Sequence, residues 1–231
     1  MSSTEGHSPL QVLFQDAYLC VVLKPAGMPV QPDATGDASL IGILSRQLGG
    51  AVLGLVHRLD RPVSGVVLMA RDPEVLRDLN EQFRERAIAK HYWAIVEGRV
   101  EGTASAEWTL LEHELDRDGK RKKAVLRADP SRVPSRLRYR VLVIGDRFSL
   151  LEVVPEGGAF HQIRAQLGAA GHAIRGDVKY GARRGEKDRS IALHARSLSF
   201  VHPVTAAPVT VEAPVPAGAI WRAMLSVKLR S

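Results

Sequence analysis

Short runs rich in Val and Leu follow one another along this 231-residue chain, several of them with no helix between. Leu10 to Phe14 and Tyr18 to Lys24 are separated only by Gln15-Asp16-Ala17, and read as a strand pair. Gly54 to Leu59 and Gly65 to Ala70 flank one polar turn, and Tyr92 to Gly98 is a further strand. Trp108 to Leu151 continues in β-like segments, followed by strands at Arg147 to Val154 and Ala192 to Val201, the last ending in His202-Pro203. Parallel neighbours need a crossover of about a dozen residues or more, and most of these spacings leave no room for one. The fold is therefore expected to be α+β, on a mixed and mostly antiparallel sheet rather than a doubly wound one.

Helices are few. Leu40, Ile41, Leu44 and Leu48 fall at helical spacing, and Gly49-Gly50 stops them. Asp72-Pro73 sets a cap residue before a first-turn proline and opens a helix whose Val75, Leu79 and Phe83 share one face. Gln162 to Ala170 is a short helix closed by Gly171. No repeat, low-complexity tract or linker interrupts the pattern, so residues 10–231 are expected to form one domain behind a short tail, 1–9.

An apolar share of 45% and a charged share of 25% are those of a globular chain and exclude a disordered or fibrous one. A single cysteine, Cys20, excludes a disulfide scaffold and a Cys-based zinc site, and reads as a small core hydrophobe. It fits a reducing compartment, and with no signal segment and no membrane-length apolar run the expected location is the cytoplasm. The eight histidines show no metal-ligand spacing, and no glycine-rich phosphate loop opens a helix, so neither a metal nor a nucleotide cofactor is expected.

The net charge of +7 suggests a polyanionic partner, although soluble proteins without one also carry such an excess. The positive charge is concentrated between Arg117 and Arg140, where Lys120, Arg121, Lys122, Lys123, Arg127, Arg132, Arg136, Arg138 and Arg140 face only Asp118 and Asp129. Aromatic residues, at 5%, are too scarce for a broad base-stacking platform.

Three segments could carry chemistry. Asp60 stands in His57-Arg58-Leu59-Asp60-Arg61-Pro62-Val63-Ser64-Gly65. It is either an ordinary turn former or a carboxylate at the end of rigid strands, kept ionised by Arg58 and Arg61 as a nucleophile or base requires. His161-Gln162-Ile163-Arg164 opens the last predicted helix. There Gln162 and Arg164 either face water, with Ile163 and Leu167 on the core, or Arg164 pairs with a carboxylate or phosphate. Tyr92, in Lys90-His91-Tyr92-Trp93-Ala94, reads by itself as a half-buried sheet residue.

Taken in order, these segments resemble a known family. Lys24-Pro25-Ala26-Gly27, His57-Arg58-Leu59-Asp60 with Ser64-Gly65, Lys90-x-Tyr92-x-Ala94 with Glu97-Gly98, and His161-Gln162-Ile163-Arg164 come first. Gly176-Asp177-x-x-Tyr180-Gly181 and Leu193-His194-Ala195 with His202-Pro203 follow. Together they resemble an RluA-type RNA pseudouridine synthase, from about Leu10 to the C-terminus. The resemblance implies a pseudouridine synthase-like fold, a long bent sheet with flanking helices and a central cleft. It makes Asp60 the catalytic aspartate, Arg164 its ion-pair partner and Tyr92 the ring that packs on the target uracil, while Lys24 and Lys90 are structural or close to RNA. Val63, Ala159-Phe160 and Ala173 depart from the family's usual Thr, basic-Thr and Pro.

The implied reaction is isomerisation of uridine to pseudouridine in ribosomal or transfer RNA, with attack by Asp60 at the ribose C1′ or the base C6 and no cofactor. The target base must be flipped out to be reached. The accessory S4 module that some relatives carry ahead of the first motif is expected to be missing here, and RNA recognition is then expected to fall to the catalytic domain. Arg58, Arg61, His161, Gln162, Lys120, Arg121, Lys122 and Lys123 are the expected contacts, and the protein is expected to be a monomer. Two rivals are a non-catalytic RNA binder and a nucleoside or glycoside hydrolase pairing Asp60 with a second carboxylate such as Asp177.

Overall fold

A computed structural model of the chain describes residues 8–100, 107–127, 129, 131 and 133–228. Arg132 of the basic stretch lies outside the described residues. The first half runs β1 (Val12–Gln15), β2 (Leu19–Lys24), α1 (Leu40–Gln47), β3 (Gly54–Leu55), β4 (Ser64–Ala70), α2 (Pro73–Arg84) and β5 (Ala89–Glu97). Then come β6 (Thr109–Asp118), β7 (Lys123–Arg127), β8 (Ser135–Ile144), β9 (Phe148–Pro155) and α3 (Gln162–Ala169). A 3-10 turn (Val178–Tyr180), β10 (Leu193–Val201), β11 (Pro208–Glu212) and α4 (Ala219–Lys228) complete the order.

The described strands form one 11-stranded sheet in the order β1-β2-β4-β10-β5-β9-β8-β6-β7, with β11 on β10 and β3 on β4. Every pairing is antiparallel except β10 with β4, in agreement with the expected mixed α+β sheet. That parallel join lies at the middle of the sheet. Gly65 pairs there with Lys24 on one side and Ala195 on the other, and Ala195 pairs in turn with Tyr92. Residues from four distant segments thus meet in one row across the sheet. The join is so close that a Cβ on Gly65 would stand 2.3 Å from the Ala195 carbonyl oxygen, and its φ of +125° also demands glycine.

The helices begin where local chemistry directs them. Asp72 Oδ1 accepts from the Glu74 and Val75 backbone N–H groups at 2.8 and 3.1 Å, with Pro73 in the first turn of α2. Val75 and Leu79 bury that helix, which packs on β3 and β4. Ser39 caps α1, which buries Leu40, Ile43 and Leu44, while Trp221 and Met224 are the buried residues of α4. No helix among the described residues is long and apolar enough to cross a membrane.

The structure differs from the sequence reading in three places. The strand expected over Gly54 to Leu59 is only two residues long. Where its ladder would continue, the Leu68 N–H is taken at 3.0 Å by His57 Nε2, so a side chain replaces the backbone partner. β11 and α4 were not anticipated, because two alternating valines and one apolar triplet are weak periodic signals. Finally, α3 has no water-facing side at its start: Gln162, Ile163, Arg164, Ala165, Gln166 and Leu167 are all buried.

Two histidines are built into the sheet as neutral rings. His57 stacks on Phe83 with ring centroids 5.0 Å apart, and His194 is fully buried with Nδ1 2.8 Å from Ser64 Oγ. Burial pushes both down to about 4, with a nearby cation adding in each case. A folded-state value below the unfolded one means the unfolded chain binds the extra protons, so stability is complete above about 6.5 and is lost as pH falls toward 4. These two rings alone should therefore make the unfolding free energy from urea titrations fall by about 2–3 kcal/mol per pH unit near pH 5.5, above most carboxylate titration, and the depressed imidazole of His161 steepens the slope further. A flat profile between pH 5 and 7 would show that these rings do not stay neutral in the fold.

Candidate active site

Asp60 lies on the turn that leads into β4, where the Val63 N–H donates to its backbone carbonyl at 3.0 Å. The turn is held from below by Lys24, the last residue of β2. Its side chain is fully buried and its Nζ donates to the carbonyls of Pro25, at 2.9 Å, and Arg61, at 3.1 Å. Burial pushes that amine down to about 7, against the opposing charge of Asp60. Gly27 N–H donates to the same Arg61 carbonyl at 2.8 Å. Lys24 is therefore a structural clip beneath the residue next to Asp60.

The cation that meets Asp60 comes from α3, 104 positions along the chain. Arg164 Nη1 donates to Asp60 Oδ2 at 3.0 Å. Its Nε and Nη2 donate to Asp177 Oδ2 and Oδ1 at 2.6 and 2.9 Å, a bidentate pair with the Asp177 side chain 1% exposed. Arg164 also lies over the Tyr180 ring, 5.1 Å from its centroid. One guanidinium thus joins a buried carboxylate that fixes it to a partly exposed one that it orients. His161, with a left-handed φ of 53° at the N-cap of α3, places Nε2 3.6 Å from Asp60 Oδ2 and Nδ1 2.8 Å from the Tyr180 hydroxyl. Burial pushes its imidazole down to about 4, so near neutral pH it is uncharged and forms no salt bridge.

Asp60, Val63, Tyr92, Ile163, Arg164 and Leu193 line one small cavity of about 100 Å³. An apolar cavity of about 150 Å³ takes up benzene, so this smaller space is on the scale of a single ring only together with the groove that shares its lining. Burial, with the charge of Asp60 adding, pushes the Tyr92 phenol up, so it keeps its proton. Asp60, Tyr92 and Arg164 also line a groove of about 1190 Å³ whose charged lining is cationic except for Asp33 and Asp60. The lining includes Arg84 at the end of α2, Arg86 in the turn that follows and Lys90 in β5, together with Arg117, Lys122 and Lys179.

The expected site residues are distributed unequally over this geometry. Asp60, Tyr92, Arg164 and His161 come together, and Arg58 lines both the cavity and the groove. Arg61 does not flank the Asp60 carboxylate. Its Nε donates to the Gly27 carbonyl at 2.8 Å, and its other nitrogens to Thr35, Asp33 and Asp37. Gln162 is buried and is spent inside the protein: Nε2 donates to the Arg136 carbonyl at 2.9 Å and Oε1 accepts from the Ala159 N–H. Of the four cations at the β6–β7 turn, Lys122 alone lines the groove. Lys120 is exposed beyond it, Arg121 pairs with Asp118, and Lys123 lies 4.9 Å over the Tyr180 ring.

Sequence reasoning missed Asp177 and Tyr180 as partners of Arg164, and Arg84, Arg86, Arg117 and Lys179 as groove cations. The spacing Asp177-x-x-Tyr180 was visible, but only the 3-10 turn puts both side chains against α3.

Comparison with known proteins accords with this geometry. Residues 18–169 match the family model described as RNA pseudouridylate synthase. The ribosomal large subunit pseudouridine synthase C of Vibrio vulnificus (strain CMCP6) is 32% identical over 212 residues, 88% of this chain and 65% of that protein. Its namesake in Escherichia coli (strain K12) is 33% identical over 90% of this chain and 67% of its own length. The chain spans about two thirds of the length of these curated relatives. The solved structure of human RNA pseudouridylate synthase domain containing 4 superposes with a TM-score of 0.71 at 27% identity, over 95% of this chain and 93% of that one. With its motif residues gathered on one sheet row and around one cavity, and with most of its length matched, this chain belongs to the RNA pseudouridylate synthase family, of the RluA type.

Proposed function

We propose that this chain isomerises uridine to pseudouridine in a structured RNA, with Asp60 as nucleophile. The observation that carries the reading is the Asp177–Arg164–Asp60 arrangement beside a small cavity that shares its lining with a cationic groove. Groove cations such as Arg58, Arg117 and Lys122 hold phosphates, and the target base leaves its stack to enter the cavity. Arg164 holds and aims the Asp60 carboxylate, and Tyr92 packs against the uracil. The Asp60 carboxylate attacks C1′ or C6, the C1′–N1 bond breaks, the uracil turns, and a C5–C1′ bond forms. The C5 hydrogen then leaves as a proton, N1 gains one, and Asp60 is released, so the product is an isomer of the substrate.

The names of the curated relatives favour ribosomal large subunit RNA over transfer RNA as the substrate, and with it a cytoplasmic place of action. A hydrolase reading needs a second carboxylate free to move a proton. Asp177 is buried with both oxygens on Arg164, which removes it as that partner.

RNA carrying tritium at C5 of uridine tests the proposal. Wild-type protein should release label to water, at most one atom per target site, with the RNA chain uncut. A hydrolase would free uracil with its label still attached, and a binder would release nothing. Either result would overturn the assignment.

A further inference from the structure

We propose that Tyr180 and His161 are positioning residues that form a one-way hydrogen-bond relay directed at Asp60, with Tyr180 holding His161 as its Nε2–H tautomer. The inference deepens the isomerase reading and rests on it for its kinetic part. Its direction follows from a donor that cannot reverse. The backbone N–H of Ala124, on β7, donates to the Tyr180 hydroxyl oxygen at 2.7 Å. That bond occupies one lone pair of the phenol and leaves its O–H to donate elsewhere. Burial pushes the phenol up to about 12, so the proton is present. Among the described residues the one other hydrogen-bond partner of this buried hydroxyl is His161 Nδ1, at 2.8 Å, and an Nδ1–H pointing back at the oxygen would leave the phenol proton without an acceptor. Nδ1 therefore accepts, and the single ring proton of the neutral imidazole sits on Nε2.

Nε2–H faces Asp60 Oδ2 at 3.6 Å, just outside hydrogen-bond distance. Contacts of this kind tighten when a substrate fills the site. Arg164 Nη1 holds the same oxygen at 3.0 Å, and no hydrogen bond or ion pair within the described residues engages Oδ1. The two donors thus anchor one carboxylate oxygen and leave the other to attack. When the bond from Oδ1 to the substrate breaks, its electron pair returns to the carboxylate and the charge is again shared with Oδ2, the oxygen that both donors face.

His161 is held for this task at some cost. Its backbone is left-handed, a conformation that non-glycine residues keep only when their surroundings impose it. Phe160 stacks on one side of the ring at 3.8 Å, with Arg117 over Phe160 at 4.7 Å, and the edge contact to Tyr180 closes the cage.

The test is the ring-nitrogen NMR of protein carrying 15N-histidine, at pH 7.5, combined with single-turnover kinetics. Wild-type His161 should show the Nε2–H coupling pattern. Tyr180→Phe keeps the ring over Arg164 but removes the donor, so His161 should gain Nδ1–H character. Its kcat should fall about tenfold, with KM for RNA within about twofold. His161→Gln, which keeps an N–H near the Nε2 position, should retain more activity than His161→Ala. A wild-type ring protonated on Nδ1 or on both nitrogens would overturn the relay, even where Tyr180→Phe fails to fold. So would a Tyr180→Phe protein with unchanged tautomer and kcat. The tautomer needs no turnover, so wild-type protein that releases no tritium overturns the isomerase assignment separately.

Discussion

Asp60→Asn should lower single-turnover pseudouridine formation by roughly 10⁴-fold or more, the scale seen when an enzyme loses its nucleophile. The expected effect on binding is small. Asn keeps the shape of the side chain and can still accept from Arg164, and Arg164 itself stays in place because Asp177 holds it by two bonds. RNA affinity should therefore remain within about threefold, since only one charge in a cationic groove has changed. Stability should move by no more than about 1–2 kcal/mol. The turn around Asp60 is closed by its backbone carbonyl, not by its carboxylate, so the substitution does not undo the turn. Rapid-quench assays of tritium release, alongside filter binding and urea unfolding, measure all three quantities. Retained turnover would move the nucleophile elsewhere, and a large loss of stability with activity intact would return Asp60 to the role of a turn former.

Arg164→Met should abolish turnover and also damage the fold, which makes it the more informative of the two changes when paired with a second. Its loss strands Asp177, 1% exposed, without either of its two donors. Removing one partner of a buried pair typically costs about 3–5 kcal/mol. Adding Asp177→Leu removes the stranded charge and should restore most of that stability, because a buried pair exchanged for apolar groups is often neutral. It should restore no activity, since Asp60 still lacks its cation. Arg164→Lys tests geometry alone. An ammonium cannot span Asp60 and a bidentate Asp177 together, so turnover should fall about 100-fold with a smaller loss of stability. A double variant that recovers both folding and turnover would show that Arg164 serves only the buried pair. A variant rescued by raising RNA concentration would place it in binding.

The history of Arg164 in this chain shows where reading the sequence stops. From residue properties, the Ile163 and Leu167 pattern left Gln162 and Arg164 on a water-facing side. In the structure that side meets β6 and β8 instead, where Gln162 and Gln166 donate to the carbonyls of Arg136 and Ser135. Periodicity reports which face is apolar, and it cannot report that the polar face is enclosed by hydrogen-bonding backbone. The pairing of Arg164 with Asp60 was accessible only through the order of motifs along the chain. Arg61, adjacent to Asp60 in sequence, was with Arg58 one of two flanking cations that a functional reading of Asp60 invoked, yet it turns to the Gly27 carbonyl and the Asp33 and Asp37 carboxylates. Nearness along the chain was a poor guide, because a turn sends successive side chains in different directions.

What the sequence determined by itself was local or ordered. The Asp72-Pro73 cap, the Gly49-Gly50 stop and the strand pair around Gln15-Asp16-Ala17 follow from interactions within a few residues, and the sheet's mixed, mostly antiparallel character from the order and spacing of its strands. The family followed from six motifs in sequence. Tertiary structure alone decided that Lys24, Gly65, Ala195 and Tyr92 share one row, and that His57 ends β3. It also decided that Asp177 and Tyr180 stand behind Arg164 and His161, and that Lys122 but not Lys120 reaches the groove. The division has one physical cause. Caps, stops and alternation are settled by backbone geometry and by neighbours a few bonds away, whereas the site joins side chains as distant as those of Asp60 and Arg164, 104 positions apart. Their meeting depends on strand register and on which buried polar groups must find partners, and neither is encoded in any one segment.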